Sequence, residues 1–124
     1  MAQQYLIDTN SVIDYLGNKL PVKSSTILDN IVIQLSIITR IELLAWSNAT
    51  QQQIQILQNF ITSSVVYNLN EPTIIETINI RKKYKIKLPD AIIAAIALTN
   101  NLTLFTRNTS DFRMINGLDI FNPF

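Results

Sequence analysis

Four acidic residues are placed where their side chains could do chemistry together: Asp8, Glu42, Asp90 and Asp111. The chain of 124 residues contains no histidine and no cysteine. The usual nucleophile–base pairs and the common zinc or copper sites therefore cannot be built from it. Catalysis would have to come from carboxylates, hydroxyls, amides and cations. Oxygen ligands of this kind suit hard divalent ions such as Mg²⁺ or Mn²⁺.

The position of Asp90 needs an explanation, because the stretch "LPDAIIAAIAL" continues after it as an apolar helix. A helix that is apolar all round belongs in a core, where an ionised carboxylate is costly unless it is paired. A local explanation is also open. Proline is at home in a first helical turn, and an acid there interacts favourably with the helix dipole.

The elements that must position these acids are predicted from the hydrophobic pattern. Strands are predicted at "YLID", "IVIQLS", "SVVYNL", "LTLFT" and around "LDIF". Helices are predicted at "TNSVIDYLGN", "PVKSSTILDN", "IITRIELLAW", "QQQIQILQNFI", "EPTIIETINIRKKY" and "LPDAIIAAIAL". Gly17 should end a helix, Ser36 and Asn70 should cap helices, and "RNTSD" should be a loop. This order predicts one α/β domain over residues 1–124, a three-layer α/β/α sandwich with a mostly parallel central sheet.

The predicted elements bring the acids towards one edge of the sheet. Asp8 ends the first strand and Asp111 follows the strand "LTLFT", and open α/β sheets place their ligand sites at the carboxyl ends of strands. Glu42 lies on a helix that follows a strand, with mostly apolar neighbours one turn away, and Asp90 opens a helix. Four acids gathered there would repel one another, and a divalent cation would relieve that repulsion.

Each acid also has a local explanation. Asp8 could cap the next helix, Glu42 could be an exposed helical acid, and Asp111 could be a turn residue. The remaining acids are predicted to be structural, on helix surfaces, near caps or near the terminus: Asp14, Asp29, Glu71, Glu76 and Asp119.

Charge and composition give further information about the ligands and the location of the protein. The net charge is only +1, but five of the ten basic residues lie in "RKKYKIK", around Tyr84. We name residues 81–87 the basic run. It could bind phosphates, or it could be a solvated helix end, where cations are favoured. No signal peptide and no membrane-length apolar run is recognised, so we expect a soluble cytoplasmic protein.

Four stretches resemble the acidic motifs of the PIN-domain ribonucleases, in particular those of VapC-type toxins from prokaryotic toxin–antitoxin pairs. They are "YLIDTNSVIDYL", "ITRIELLAW", "LPDAIIAAIAL" and "LFTRNTSDF", and their order and spacing match. The likeness covers essentially the whole chain, including the closing "LDIFNPF". It implies an α/β sandwich that binds Mg²⁺ or Mn²⁺ through Asp8, Glu42, Asp90 and Asp111. It also implies that Asn10 and Thr106 help to orient ligands or water.

The resemblance implies metal-assisted hydrolysis of RNA phosphodiester bonds, which leaves a 5′-phosphate and a 3′-hydroxyl. The residues expected to hold the RNA backbone are Arg81, Lys82, Lys83, Lys85, Lys87 and Arg107. The resemblance further implies an antitoxin partner and a homodimer. One alternative is a catalytically inactive PIN-fold module that binds RNA or protein. A phosphoacceptor receiver domain is disfavoured, because the chain has no adjacent acidic pair after the first strand and no late-strand lysine.

Overall fold

The structure is a computed structural model that describes residues 3–124, in which short strands alternate with helices. The strands are β1 (Tyr5–Ile7), β2 (Gln34–Ser36), β3 (Val65–Tyr67), β4 (Thr103–Phe105) and β5 (Ile120–Phe121). The helices are α1 (Thr9–Leu16), α2 (Val22–Asp29), α3 (Ile37–Leu44), α4 (Gln51–Thr62), α5 (Glu71–Lys83), α6 (Leu88–Thr99) and α7 (Thr109–Phe112). The predicted alternation of strands and helices is confirmed.

The strands pair in parallel. β4 lies between β1 and β5 in a three-stranded sheet, and β2 pairs with β3 in a separate two-stranded sheet. β1 and β2 lie close together, and Gln34 Nε2 donates to Gln4 Oε1 at 3.0 Å between them. The central layer is therefore parallel, as predicted, but it is divided between two hydrogen-bonded ladders. Parallel strands end on the same side, so the residues that follow β1, β2 and β4 lie at one edge.

Helices cover both faces of this central layer. Leu6 of β1 packs with Leu104 and with the apolar body of α6, which α5 covers. The neighbouring side chains Tyr5 and Ile7 point to the other face, where they pack with residues of α1 to α4. Alternate side chains of a strand face opposite sides, so short strands of this kind need apolar cover on both. The predicted three-layer sandwich is confirmed.

α6 is the central helix of one of these layers. Residues 91–97 are all buried, and each buried isoleucine among them contributes about 1.5–3 kcal/mol relative to an exposed side chain. Asp90 is the one charged residue in α6 and lies in its first turn. Its position is therefore held by the packing of the core. Within residues 3–124, no helix combines the length and apolarity needed to cross a membrane.

Local signals decide most helix ends. Ser36 Oγ accepts from Thr39 N, Asn70 Oδ1 accepts from Thr73 N, and α1 ends at Gly17, as predicted. The prediction that 107–111 is a loop is wrong at its end, because α7 begins at Thr109. The next residue after this segment, Phe112, is buried in the core and so anchors the helical turn.

Candidate active site

Asp8 connects the ends of two neighbouring strands. It follows β1 and is only 8% exposed. Its Oδ1 accepts a hydrogen bond from Ser11 N at 2.9 Å, which caps α1. Its Oδ2 accepts the hydroxyl of Thr106, a fully buried residue directly after β4, at 2.5 Å. The capping explanation for Asp8 is therefore true of one oxygen, while the other oxygen is bound across the sheet.

Glu42 reaches the same edge from α3. Thr9 Oγ1 donates to Glu42 Oε1 at 2.6 Å and lies 3.2 Å from Oγ1 of Thr39. The Glu42 side chain is exposed, and so are Ala45 and Trp46 one turn further on. The expectation that Glu42 lies on a non-solvated face is therefore wrong on the side of Ala45 and Trp46. On the preceding turn, Ile38 is half-buried and Thr39 is buried. Thr9, rather than an apolar environment, orients Glu42.

Asp111 lies on α7, beside a polar chain that leads back to Asp8. Asn108 Nδ2 donates to Asp111 Oδ2 at 2.8 Å, and Asn108 N donates to Thr106 Oγ1 at 3.0 Å. The Thr106 hydroxyl in turn donates to Asp8. Asp8 and Asp111 are thus linked through two residues of the segment between β4 and α7.

Three of the four predicted acids meet in one cavity. Its volume is about 200 Å³, and its lining residues are Asp8, Thr9, Asn10, Glu42, Asp90, Ile93, Asn108 and Phe112. Asp111 is not among the lining residues. The structure thus brings together acids from β1, α3 and α6, with the predicted supporting residue Asn10 beside them. Thr106 lies behind the cavity, bonded to Asp8.

Electrostatic coupling links Asp90 to the other three acids. Burial raises the pKa of the Asp90 carboxyl, and the negative charges of Asp111 and Glu42 raise it further. Lys87 lowers this pKa, and Asp8 adds a smaller upward effect. Like charges held near one another disfavour ionisation, and a cation placed among them reverses that effect. The cavity is therefore a place where positive charge is favoured.

The chemistry of the cavity fits a hard divalent ion. Its donors are oxygens from carboxylates, from the Thr9 hydroxyl and from the amides of Asn10 and Asn108. Across residues 3–124, however, no three acidic side chains stand close enough to hold one ion as they are placed. Glu42 and Asp111 instead accept hydrogen bonds from Thr9 and Asn108. The fit thus rests on donor type and charge, without a closed set of ligands.

The basic run is exposed at all its charged positions. Three of its cations lie in the last turn of α5, as a solvated helix end would place them: Arg81, Lys82 and Lys83. Lys87 immediately precedes α6, and its charge acts on Asp90. Tyr84 packs against the core, and its hydroxyl accepts a hydrogen bond from Asn116 N at 3.0 Å. The Tyr84 ring is therefore partly covered by the core, and Lys83 Nζ lies 5.5 Å from its centre.

Arg107 is engaged with two other side chains. Its Nη1 lies 3.6 Å from Asp14 Oδ2, and its guanidinium carbon lies 5.4 Å from the centre of the Phe124 ring. Asp14 is buried, so the prediction that it lies on a helix surface is wrong. About half of the Arg107 side chain stays exposed.

Two residues of the site were missed by sequence reasoning. Thr9 and Asn108 each donate to an acid, and both line the cavity. Both lie inside the quoted motifs, one residue after Asp8 and three residues before Asp111. Polar residues next to the motif acids were the available signal.

Fold and site together define an α/β protein with a carboxylate-lined cavity at the carboxyl edge of parallel strands. The PIN domain family model matches residues 5–118. The chain belongs to the PIN domain family, and the resemblance drawn from the motifs is confirmed. No curated protein sequence matches the chain at a significant level.

Solved structures agree with this assignment. A toxin–antitoxin complex from Klebsiella pneumoniae contains a chain 30% identical to this one, with 98% of both chains covered and a TM-score of 0.79. DNA-bound VapBC from Salmonella typhimurium matches with 26% identity, 97% of this chain and 98% of that chain covered, and a TM-score of 0.80. VapBC2 from Rickettsia felis, bound to a promoter DNA fragment, matches with 23% identity, the same coverage and a TM-score of 0.81, a likeness of fold alone.

Proposed function

We propose that the protein is a metal-dependent endoribonuclease that hydrolyses RNA phosphodiester bonds and acts as the toxin of a toxin–antitoxin pair. The observation that carries the proposal is the convergence of Asp8, Glu42 and Asp90 on one oxygen-lined cavity of a PIN-domain chain. The toxin role is supported by the likeness to chains of toxin–antitoxin complexes.

The metal is proposed to be Mg²⁺ or Mn²⁺, held by Asp8, Glu42, Asp90 and Asp111. When bound, such an ion supplies Lewis acidity that activates water and offsets the charge developing on the phosphate. Asp8 is a rigid ligand, because Ser11 N and the Thr106 hydroxyl fix its two oxygens. Glu42 and Asp111 are exposed and can turn towards the ion by rotating about their side-chain bonds.

Asp90 has a second property besides its charge. Its pKa is raised in the metal-free site by burial and by neighbouring acids, and a bound cation would oppose that rise. Its place in the first turn of a buried helix holds it against the cavity. We propose that a carboxylate of the site accepts a proton from the attacking water. Asn10, exposed at the cavity, is proposed to orient ligand or water.

The RNA backbone is proposed to lie along cations near the cavity, because phosphate contacts supply most of the affinity for nucleic acid. Lys87 is the best placed of them, since its charge already acts on Asp90. The other residues proposed for this role are Arg81, Lys82, Lys83, Lys85 and Arg107.

An antitoxin and a second copy of the chain are the proposed protein partners, and the site of action is proposed to be the cytoplasm. Exposed apolar side chains support such contacts, because clusters of them on a protein surface often mark interaction sites. Ile13, Trp46 and Ile56 surround a groove of about 370 Å³ beside α1 and α4. Along α5, Ile75 and Ile78 are exposed.

The test is cleavage of a fluorescently labelled single-stranded RNA by purified protein with Mg²⁺, Mn²⁺ or excess chelator. We expect cleavage with either ion, none with chelator, and products that carry a 5′-phosphate. Asp8→Asn should abolish cleavage, and Asp119→Asn, which changes an exposed acid outside the cavity, should not. Undiminished cleavage in chelator would refute the metal mechanism.

A second candidate function is an inactive PIN-fold module that binds RNA or protein. The observation in its favour is that no three acids within residues 3–124 form a closed ligand set. This candidate predicts that the wild-type protein binds RNA in a gel-shift assay and leaves it uncut with every divalent ion tested.

A further inference from the structure

An ion pair between a buried carboxylate and a half-exposed arginine connects α1 to the segment that carries the polar partners of the acids. Arg107 Nη1 lies 3.6 Å from Asp14 Oδ2, and the two side chains are 53% and 10% exposed. Within residues 3–124, Asp14 Oδ2 accepts no hydrogen bond. A buried carboxylate needs compensation, and the positive charge of Arg107 supplies it.

The residues on either side of Arg107 each hold an acid of the candidate site. Thr106 donates to Asp8 Oδ2, and Asn108 donates to Asp111 Oδ2. The two are also joined to each other, because Asn108 N donates to Thr106 Oγ1. Since the three residues are consecutive, a shift of the Arg107 backbone would move both donors.

Arg107 is held from a second side by Phe124. Its guanidinium carbon lies 5.4 Å from the centre of that ring, a cation–π arrangement. The ring itself is more than half exposed, but the neighbouring Pro123 is buried, and its carbonyl oxygen accepts the Ser24 hydroxyl of α2. Arg107 therefore lies between a buried carboxylate and an aromatic ring.

We infer that Asp14 and Arg107 form a positioning pair that sets the orientation of the metal-site acids through Thr106 and Asn108. The inference rests on the proposed function, and it gives Asp14 a role in which its side chain touches neither RNA nor metal. The phosphate contact proposed for the exposed part of Arg107 is a separate role. Asp14 is buried, so it cannot touch RNA, and changing it isolates the positioning role.

The experiment measures Mn²⁺ binding to RNA-free protein by isothermal titration calorimetry, together with kcat and KM on single-stranded RNA. For Asp14→Asn we expect Mn²⁺ affinity to fall about tenfold, as when outer partners of metal ligands are lost, with a matching fall in kcat. KM for RNA should stay unchanged. Arg107→Gln should lose as much Mn²⁺ affinity, and Arg107→Lys, which keeps the charge, should recover part of it.

Two further variants make the test decisive. The double variant Asp14→Asn/Arg107→Gln should lose no more Mn²⁺ affinity than the worse single variant, because residues that act as a pair are non-additive. It also removes both charges, so it avoids the uncompensated carboxylate that could unfold Arg107→Gln. Arg113→Gln is the matched control, since this arginine is exposed in the same region and forms no ion pair within the described chain.

Unchanged Mn²⁺ affinity in folded Asp14→Asn protein would overturn the inference, and so would additive losses in the double variant. A rise in KM for Arg107→Gln with normal Mn²⁺ affinity would overturn it too, in favour of a phosphate contact alone. If the wild-type protein neither binds Mn²⁺ nor cuts RNA, the proposed function fails, and the inference fails with it.

Discussion

Replacing Asp90 by Asn separates its two possible roles, because the change keeps the side-chain size and removes the charge. Loss of the interaction with the helix dipole costs about 0.3–1 kcal/mol. Relief of repulsion from Asp111 and Glu42 returns a similar amount, since each such pair at a half-exposed position is worth about 0.2–1 kcal/mol. The metal-free variant should therefore unfold within about 4 °C of the wild type.

The effect of metal is where the variant should differ. At a Mg²⁺ concentration of about 100 times Kd, binding stabilises the wild-type fold by about 2.7 kcal/mol, which is a rise in Tm of about 10 °C. If removal of one carboxylate weakens binding about 100-fold, the same concentration gives only about 0.4 kcal/mol. Thermal unfolding with and without Mg²⁺ measures this difference directly. RNA cleavage should fall by orders of magnitude in the same variant.

Glu71→Gln is the matched control for the Asp90 experiment. Glu71 is an acid in the first turn of α5, with a proline beside it as in α6, but it is exposed and outside the cavity. It should lose only the dipole interaction and keep both the metal-induced rise in Tm and the cleavage. Near-wild-type cleavage with the full Mg²⁺-induced rise in Asp90→Asn would refute the role assigned to this carboxylate.

Three further outcomes are expected. Changing Lys82, Lys83 and Lys85 to Glu should weaken RNA binding and flatten its dependence on salt, measured by fluorescence anisotropy. An unchanged salt dependence would leave the basic run as a solvated helix end. Thr106→Val leaves a buried oxygen of Asp8 without its donor, so chemical denaturation should show a loss of about 1–3 kcal/mol, and no loss would contradict the strand-linking bond. The folded state raises the pKa of Asp90, so it binds more protons than the unfolded state above the ordinary pKa of 3.8. The contribution of Asp90 to the stability of the metal-free protein should therefore fall as the pH rises from 3.8 through its raised pKa. In Asp90→Asn, the free energy of unfolding should fall less over the same pH range.

Local signals account for the parts of the fold that sequence reasoning predicted well. Capping by Ser36 and Asn70 and the stop at Gly17 depend on residues within one helical turn, so they can be recognised without knowing the fold. Strand positions were also predicted, but their lengths were not. The stretch "IVIQLS" predicts six residues, whereas β2 is Gln34–Ser36, because the run of apolar residues begins before the paired part of the strand.

Tertiary contacts account for what was missed. Asp14 and Arg107 are far apart in sequence, and neither has a neighbour that indicates the other, so their pairing could not be predicted. Tyr84 stands among lysines in the sequence but turns its ring to the core. The edge location of Asp8 was predictable, because it follows from the rule that parallel strands end together. Glu42 also lines the cavity, although two of the neighbours on which its placement was argued, Ala45 and Trp46, are exposed.

The burial of α6 implies that different parts of the candidate site exchange their amide hydrogens with solvent at different rates. Amides of residues 91–97 lie in the middle of the core, so they should exchange with deuterium only when the whole protein unfolds. α7 is a four-residue helix whose Asp111 is exposed, so its amides should exchange through local opening. Asp90 thus lies next to the residues expected to exchange most slowly, whereas Asp111 lies on a segment expected to open many times before the whole protein unfolds.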